Sequence, residues 1–169
     1  MSAAAPGAPT LEIDVDPVWG QGTDWEALAM RAAAAIAAEA PELAHESLTV
    51  SLVLADDAEV HALNRQWRAR DKPTNVLSFP MLSRAEVLRA AADPAAPFAM
   101  LGDLILAHGV CAREAADKGI AVADHAVHLV VHGLLHLVGH DHELGESEAA
   151  AMEALERRAL ARLGIADPY

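Results

Sequence analysis

Five of the nine histidines in this 169-residue chain fall in a single stretch, His128-Leu-Val-Val-His132-Gly133-Leu-Leu-His136-Leu-Val-Gly139-His140-Asp141-His142. Neutral imidazole is the commonest protein ligand for zinc, and helix residues four apart lie one turn apart on the same face. His132 and His136 can therefore turn two nitrogens toward one ion. Gly139 tolerates the left-handed region that ends a helix, which lets the chain turn back and present His142 as a third ligand. A cluster that only packed or faced solvent would repel itself on protonation, whereas a metal needs all three rings neutral and close. The spacing H-x3-H-x5-H predicts a three-histidine site with an open fourth position, which is the pattern of catalytic zinc.

The same ligand skeleton belongs to the metzincin proteases, H-E-x-x-H-x-x-G-x-x-H. Gly133 stands where those enzymes place their glutamate base, so peptide hydrolysis by that route loses its proton acceptor. Met152, the candidate for a Met-turn, falls at core spacing inside an amphipathic helix. A zinc peptidase is thus the runner-up. The loop further upstream points to phosphate. Arg65, Arg68, Arg70 and Lys72 lie within eight positions of one another, and a planar guanidinium suits two-pronged contact with phosphate oxygens. Arg68 at a helix end, facing zinc, suits phosphodiester chemistry, with Arg65, Arg70 and Lys72 as substrate-binding cations. An ordinary solvated face is the plainer alternative.

The elements that must position these residues can be read in order. Residues 1–9, rich in Ala, Pro and Gly, are expected to fray. Leu11–Asp16 alternates apolar and acidic residues like a half-buried strand. Asp24 caps a helix to about Glu39, stopped by Pro41. Ser47–Ala55 is a second, more central strand, and Asp56 or Asp57 then caps a helix ending near Arg68. The charged loop after it, within Arg68–Pro80, holds one proline and leads into a short third strand that a second proline terminates. Residues 82–97 predict a short helix and a loop, with no chemistry assigned. Met100–Leu106 is a fourth strand in which Asp103 is the odd polar residue. A helix over Gly109–Lys118 ends at Gly119, Asp124 opens the histidine helix, and Ser147–Leu163 forms a last helix. In that last helix Met152, Leu155, Leu160 and Leu163 face inward, with Glu and Arg outward.

Composition bounds the rest. At 169 residues, with 53% hydrophobic and 4% aromatic residues, one domain spanning 1–169 with an Ala- and Leu-packed core is expected. A net charge of −13 argues against loose, charge-driven binding of nucleic acid. The single Cys111 forms no internal disulfide, and no signal peptide or membrane span is read. A reducing, cytoplasmic setting without membrane association follows as the expectation.

Two stretches carry a resemblance to a known family. Leu63-Asn64-Arg-Gln-Trp67-Arg68-Ala-Arg-Asp71-Lys72-Pro73-Thr74-Asn75-Val76-Leu77-Ser78-Phe79-Pro80 and His132-Gly133-Leu-Leu135-His136-Leu137-Val-Gly139-His140-Asp141-His142 resemble the YbeY family of zinc-dependent rRNA-maturation endoribonucleases, and Leu101-Gly102-Asp103 between them fits as well. The resemblance implies an α/β (α+β) fold with a small, four-stranded, mostly parallel mixed sheet flanked by helices, a strand number that agrees with the reading above. It further implies a single-strand-specific, metal-dependent endoribonuclease that matures the 3′ end of 16S rRNA and serves ribosome quality control. One Zn²⁺ would sit on His132, His136 and His142, and Arg68 is the functionally important arginine. Ribosomal RNA, the small ribosomal subunit and assembly factors are the implied partners. A ribosome-assembly binding factor with little catalysis is a third reading. Asp141, Asp103 and His128 are expected to support the ligands, His128 from one turn before His132. His140, where the family often has Tyr, is either a spare base or a surface residue.

Overall fold

A computed structural model describes residues 2–3, 7–141 and 144–169 of the chain. Its centre is a sheet of five strands in the order β1-β2-β3-β5-β4: β1 Ser2–Ala3, β2 Thr10–Val15, β3 Leu48–Ala55, β4 Val76–Pro80 and β5 Ala99–Ala107. β2, β3 and β5 run parallel, and the outer strands β1 and β4 are antiparallel to their neighbours. The four expected strands are present, with β3 central. The fifth comes from the stretch expected to fray, where Ser2 pairs with Glu12 and Ala3 with Leu11, while Ala8 is fully buried. β2 offers an otherwise open edge on that side.

Among the described residues six α-helices surround the sheet: α1 Trp25–Glu39, α2 Asp57–Arg68, α3 Arg84–Ala92, α4 His108–Lys118, α5 Val122–Leu137 and α6 Glu146–Arg162. Asp24 and Asp56 cap α1 and α2 through their carboxylates. The main core lies between one face of the sheet and α1, α5 and α6. There Leu52, Leu54, Leu104 and Leu106 meet Ile36, Val131, Leu134 and Leu160. Alanines along α1 let it lie close to α5 and α6. A smaller cluster of Val60, Leu77 and Ile105 fills the other face under α2. α5 starts two residues earlier than expected, behind the extended residue Ala121, so Asp124 sits in the first turn rather than at the cap. A carboxylate there still favours the helix dipole. Among the described residues no single helix is long and apolar enough to cross a membrane.

Gly133 and a bulge in β5 decide how α5 meets the sheet. A Cβ on Gly133 would come within 2.7 Å of Leu104 Cδ2, so its absence allows the histidine helix to press on β5. In β5 the pairing jumps from Thr49↔Met100 to Val50↔Gly102, which leaves Leu101 as the extra residue of a β-bulge. The bulge turns Leu101 into the main core with Leu104 and Leu106. Asp103 and Ile105 face the opposite side, toward Leu63 and Trp67 of α2.

Candidate active site: a histidine wall facing an arginine

The histidine wall is the half-buried shoulder of an otherwise largely buried helix. His132 and His136, one turn apart on α5, bring their Nε2 atoms to 3.1 Å from each other. Below them the same face continues into the core with His128 and His125, which are 7% and 2% exposed. A carboxylate from the last helix stands behind this row. Glu156 of α6 is fully buried; its Oε1 lies 2.7 Å from His128 Nε2 and 3.2 Å from His132 Nδ1. The Tyr169 hydroxyl adds contacts of 3.0 and 3.1 Å to its two oxygens. Burial, the largest single influence, raises the Glu156 pKa, but the bonds from His128 and His132 and their charges prevail together and hold it at about 2.

Past α5, Gly139 takes φ 98, as expected of the residue that turns the chain. Its missing Cβ leaves room for Arg84, whose Cδ would otherwise be 2.8 Å away. Arg84 closes the end of the helix by donating to the Val138 carbonyl at 2.7 Å. It also lies 3.5 Å from Glu42, which bonds His140 Nε2 at 3.0 Å. The bond to His140 is the largest influence on Glu42, and with Arg84 it outweighs burial, placing the carboxyl at about 2.

The arginine wall comes from the end of α2. Ala69 leaves the helix with φ 55, in the left-handed region, and its N–H bonds the Asn64 carbonyl. Buried Asn64 then ties down the loop, its carbonyl accepting from Arg70 N–H at 3.2 Å and its amide donating to the Lys72 carbonyl at 2.8 Å. His61 bonds Asp71 at 2.7 Å. Arg68 is thereby laid across edge strand β4, donating to the Ser78 carbonyl with its guanidinium carbon 5.3 Å from the centre of the Phe79 ring.

Between the walls is a cavity of about 690 Å³ lined by Arg68, Asn75, Ser78, His132, His136 and Asp141, among others. Thus His132, His136, Arg68 and Asp141 are brought to one place, as the sequence predicts. His140 lines the same cavity and is bonded to Glu42, which makes it part of the wall. His128 stands one turn before His132, its ring centroid 6.3 Å away, and shares the Glu156 carboxylate with it. His142 lies outside the described residues. Asp103 is not brought to the histidines. The pleat and the bulge put it on the far face of the sheet, beside Ser51 and Phe79, which corrects its expected supporting role. Arg65, Arg70 and Lys72 are exposed and are not among the residues that line the cavity.

Three residues that hold the walls of the cleft in place escaped the sequence reading. Arg84 lies in a segment given no chemistry, and Tyr169 was not singled out. Glu156 was taken as one of the outward acids of α6, although it sits four residues from both Met152 and Leu160 on the apolar stripe. A charge on that stripe is the signal that could have revealed it. Gly133 answers the protease question in space as well as in composition: a side chain there would point at Leu104 and the core, leaving the cavity without a base from that position.

Fold and cleft together define a mixed α/β protein with one imidazole- and guanidinium-lined cleft beside a sheet edge. The family model of Endoribonuclease YbeY matches residues 20–164. Curated relatives bearing that name include proteins from Novosphingobium aromaticivorans, 74% identical over 96% of both chains, and Erythrobacter litoralis, 55% identical over 94% of this chain and 96% of the relative. A third, from Zymomonas mobilis, is 46% identical over 95% and 92%. Among solved structures, the solution structure of TM1509 from Thermotoga maritima shares the fold, with TM-score 0.55 at 20% identity over 90% of this chain and 91% of that one. The chain belongs to the endoribonuclease YbeY family.

Proposed function

We propose that this protein is a zinc-dependent, single-strand-specific endoribonuclease that matures the 3′ end of 16S rRNA in the cytoplasm and acts on small-subunit particles during ribosome quality control. Family membership supports the nuclease activity and hence an RNA substrate. The observation that best supports the metal is the pair of Nε2 atoms 3.1 Å apart in a cavity shared with Arg68. Two ligands with ordinary zinc–nitrogen bonds at a tetrahedral angle lie about 3.3 Å apart, so the donor pair fits the ion. His132 and His136 would hold it, and the H-x3-H-x5-H spacing nominates His142 as the third ligand.

Zinc bound there supplies a Lewis acid and water of lowered pKa. The protein's own groups do the remainder. Arg68 is fixed by Ser78 and Phe79 with one of its five N–H donors on the Ser78 carbonyl, so its fork is oriented before substrate arrives and can stabilise charge developing on phosphoryl oxygens. Arg65, Arg70 and Lys72 draw the backbone of a single strand toward the cleft on an otherwise acidic body. The test is cleavage of a defined single-stranded ribosomal precursor with and without chelator, beside unstructured peptides. Chelator-sensitive RNA cleavage without peptide hydrolysis is expected, and the reverse would return the protein to the peptidase reading. The product ends show which oxygen attacks phosphorus: a 2′,3′-cyclic phosphate marks the 2′-hydroxyl and a 5′-phosphate marks water.

A further inference from the structure

The acid behind the histidine wall stands where it can select the ring nitrogen that His132 presents to the cleft. A carboxylate has only acceptors, so both imidazoles that meet Glu156 must donate to it, His128 through Nε2 and His132 through Nδ1. A neutral imidazole has one N–H. Donation from Nδ1 leaves His132 Nε2 unprotonated, and Nε2 is the atom that faces His136 at 3.1 Å. The bond also orients the ring, with Nδ1 turned to the carboxylate at 3.2 Å. His128 Nδ1 is buried and has no hydrogen-bond partner among the described residues, as suits a bare acceptor on a ring whose proton is on Nε2. The Tyr169 hydroxyl reaches both Glu156 oxygens, at 3.0 and 3.1 Å, and so ties the carboxylate in place.

We propose that Glu156, held by Tyr169 and His128, is a positioning residue that sets the tautomer and ring orientation of His132 for metal binding. This rests on the zinc reading above for its consequence, but the tautomer itself exists without metal. Carboxylates behind ligand histidines are general tuners of such sites, and their loss typically weakens metal binding on the order of 10–100-fold.

The experiment compares the whole chain with its Glu156→Gln and Tyr169→Phe variants. Imidazole ¹⁵N chemical shifts and ring couplings are recorded on the metal-free proteins, and zinc affinity is measured by competition with a chromophoric chelator. In the parent, His132 is expected as the Nδ1–H tautomer. Glu156→Gln, whose amide can donate as well as accept, should mix in the Nε2–H form of His132 or the Nδ1–H form of His128 and weaken zinc binding 10–100-fold. Tyr169→Phe should weaken it less, in the same direction, with the fold intact, and it keeps the question open to measurement if the Gln protein fails to fold. A parental tautomer and parental zinc affinity in both variants overturns the proposal. If the parent binds no zinc, the metal reading fails, and the tautomer measurement alone decides whether Glu156 positions His132.

Discussion

His132 and His136 stand on a helix whose opposite flank is core, backed by a fully buried carboxylate. Arg68, across the same cleft, ends a helix whose last residues are exposed and is held by one carbonyl, one aromatic ring and a loop folded onto Asn64. The first wall is set by groups that water cannot replace, so its geometry is as rigid as the packing around it. The second is set by surface bonds in competition with solvent, and there the chemistry of the side chain matters more than its surroundings. A metal site needs the former, since misplaced ligands lose the ion. A phosphate clamp tolerates the latter, because its partner arrives from solvent.

The largest expected effect is on the exposed wall. Arg68→Lys keeps the charge and loses the planar fork, so single-turnover RNA cleavage should fall on the order of 10²-fold, about 3 kcal/mol, while equilibrium RNA binding falls far less. Near-parental cleavage by the Lys protein would reduce Arg68 to one more surface cation. The buried wall should show its character in acid instead. Glu42 and Glu156 are each held at about 2 in the fold, below an ordinary glutamate. Each therefore contributes stability that is complete above about pH 4.5 and is lost as pH falls toward 2, for Glu42 at most about 3 kcal/mol. Denaturant unfolding at stepped pH should show this loss, and Glu42→Gln should flatten part of it. A parental profile in that variant would mean that the His140–Glu42 bond contributes little.

A smaller effect is expected where the two walls join. A Cβ on Gly102 would strike the Phe79 carbonyl and approach Leu137 Cδ2 to 2.8 Å, touching the strand under Arg68 and the helix of the histidines together. The residue also has φ 153, which glycine adopts without strain. Gly102→Ala should cost about 2 kcal/mol in denaturant unfolding and reduce cleavage beyond that loss by separating the walls. Unchanged stability would show that β4 simply shifts to make room.

Most of the scaffold was legible because it is written in local patterns: capping aspartates at 24 and 56, the alternation in β2, the helical spacing of His132 and His136, and the glycine turn after α5. What was not legible depends on contacts far apart in the chain. Asp103 reads as polar among apolar neighbours whichever face it takes, and only the bulge at Leu101 and the packing of Leu104 under Gly133 settle which. Glu156 looked like any acid on a surface helix because its partners lie 24 and 28 residues away. The two-residue strand β1 has no periodicity to read, and it exists because β2 presents an edge.

The central claim is that His132 and His136 bind zinc for the cleavage that Arg68 assists. It is tested most directly by measuring zinc stoichiometry and RNA cleavage together for the parent, His136→Ala and a control, His45→Ala, from the loop before β3. The account predicts about one zinc per chain and chelator-sensitive cleavage in the parent and control, with both lost in His136→Ala. A His136→Ala protein that keeps its zinc, or that loses zinc and still cleaves RNA at the parental rate, would contradict it.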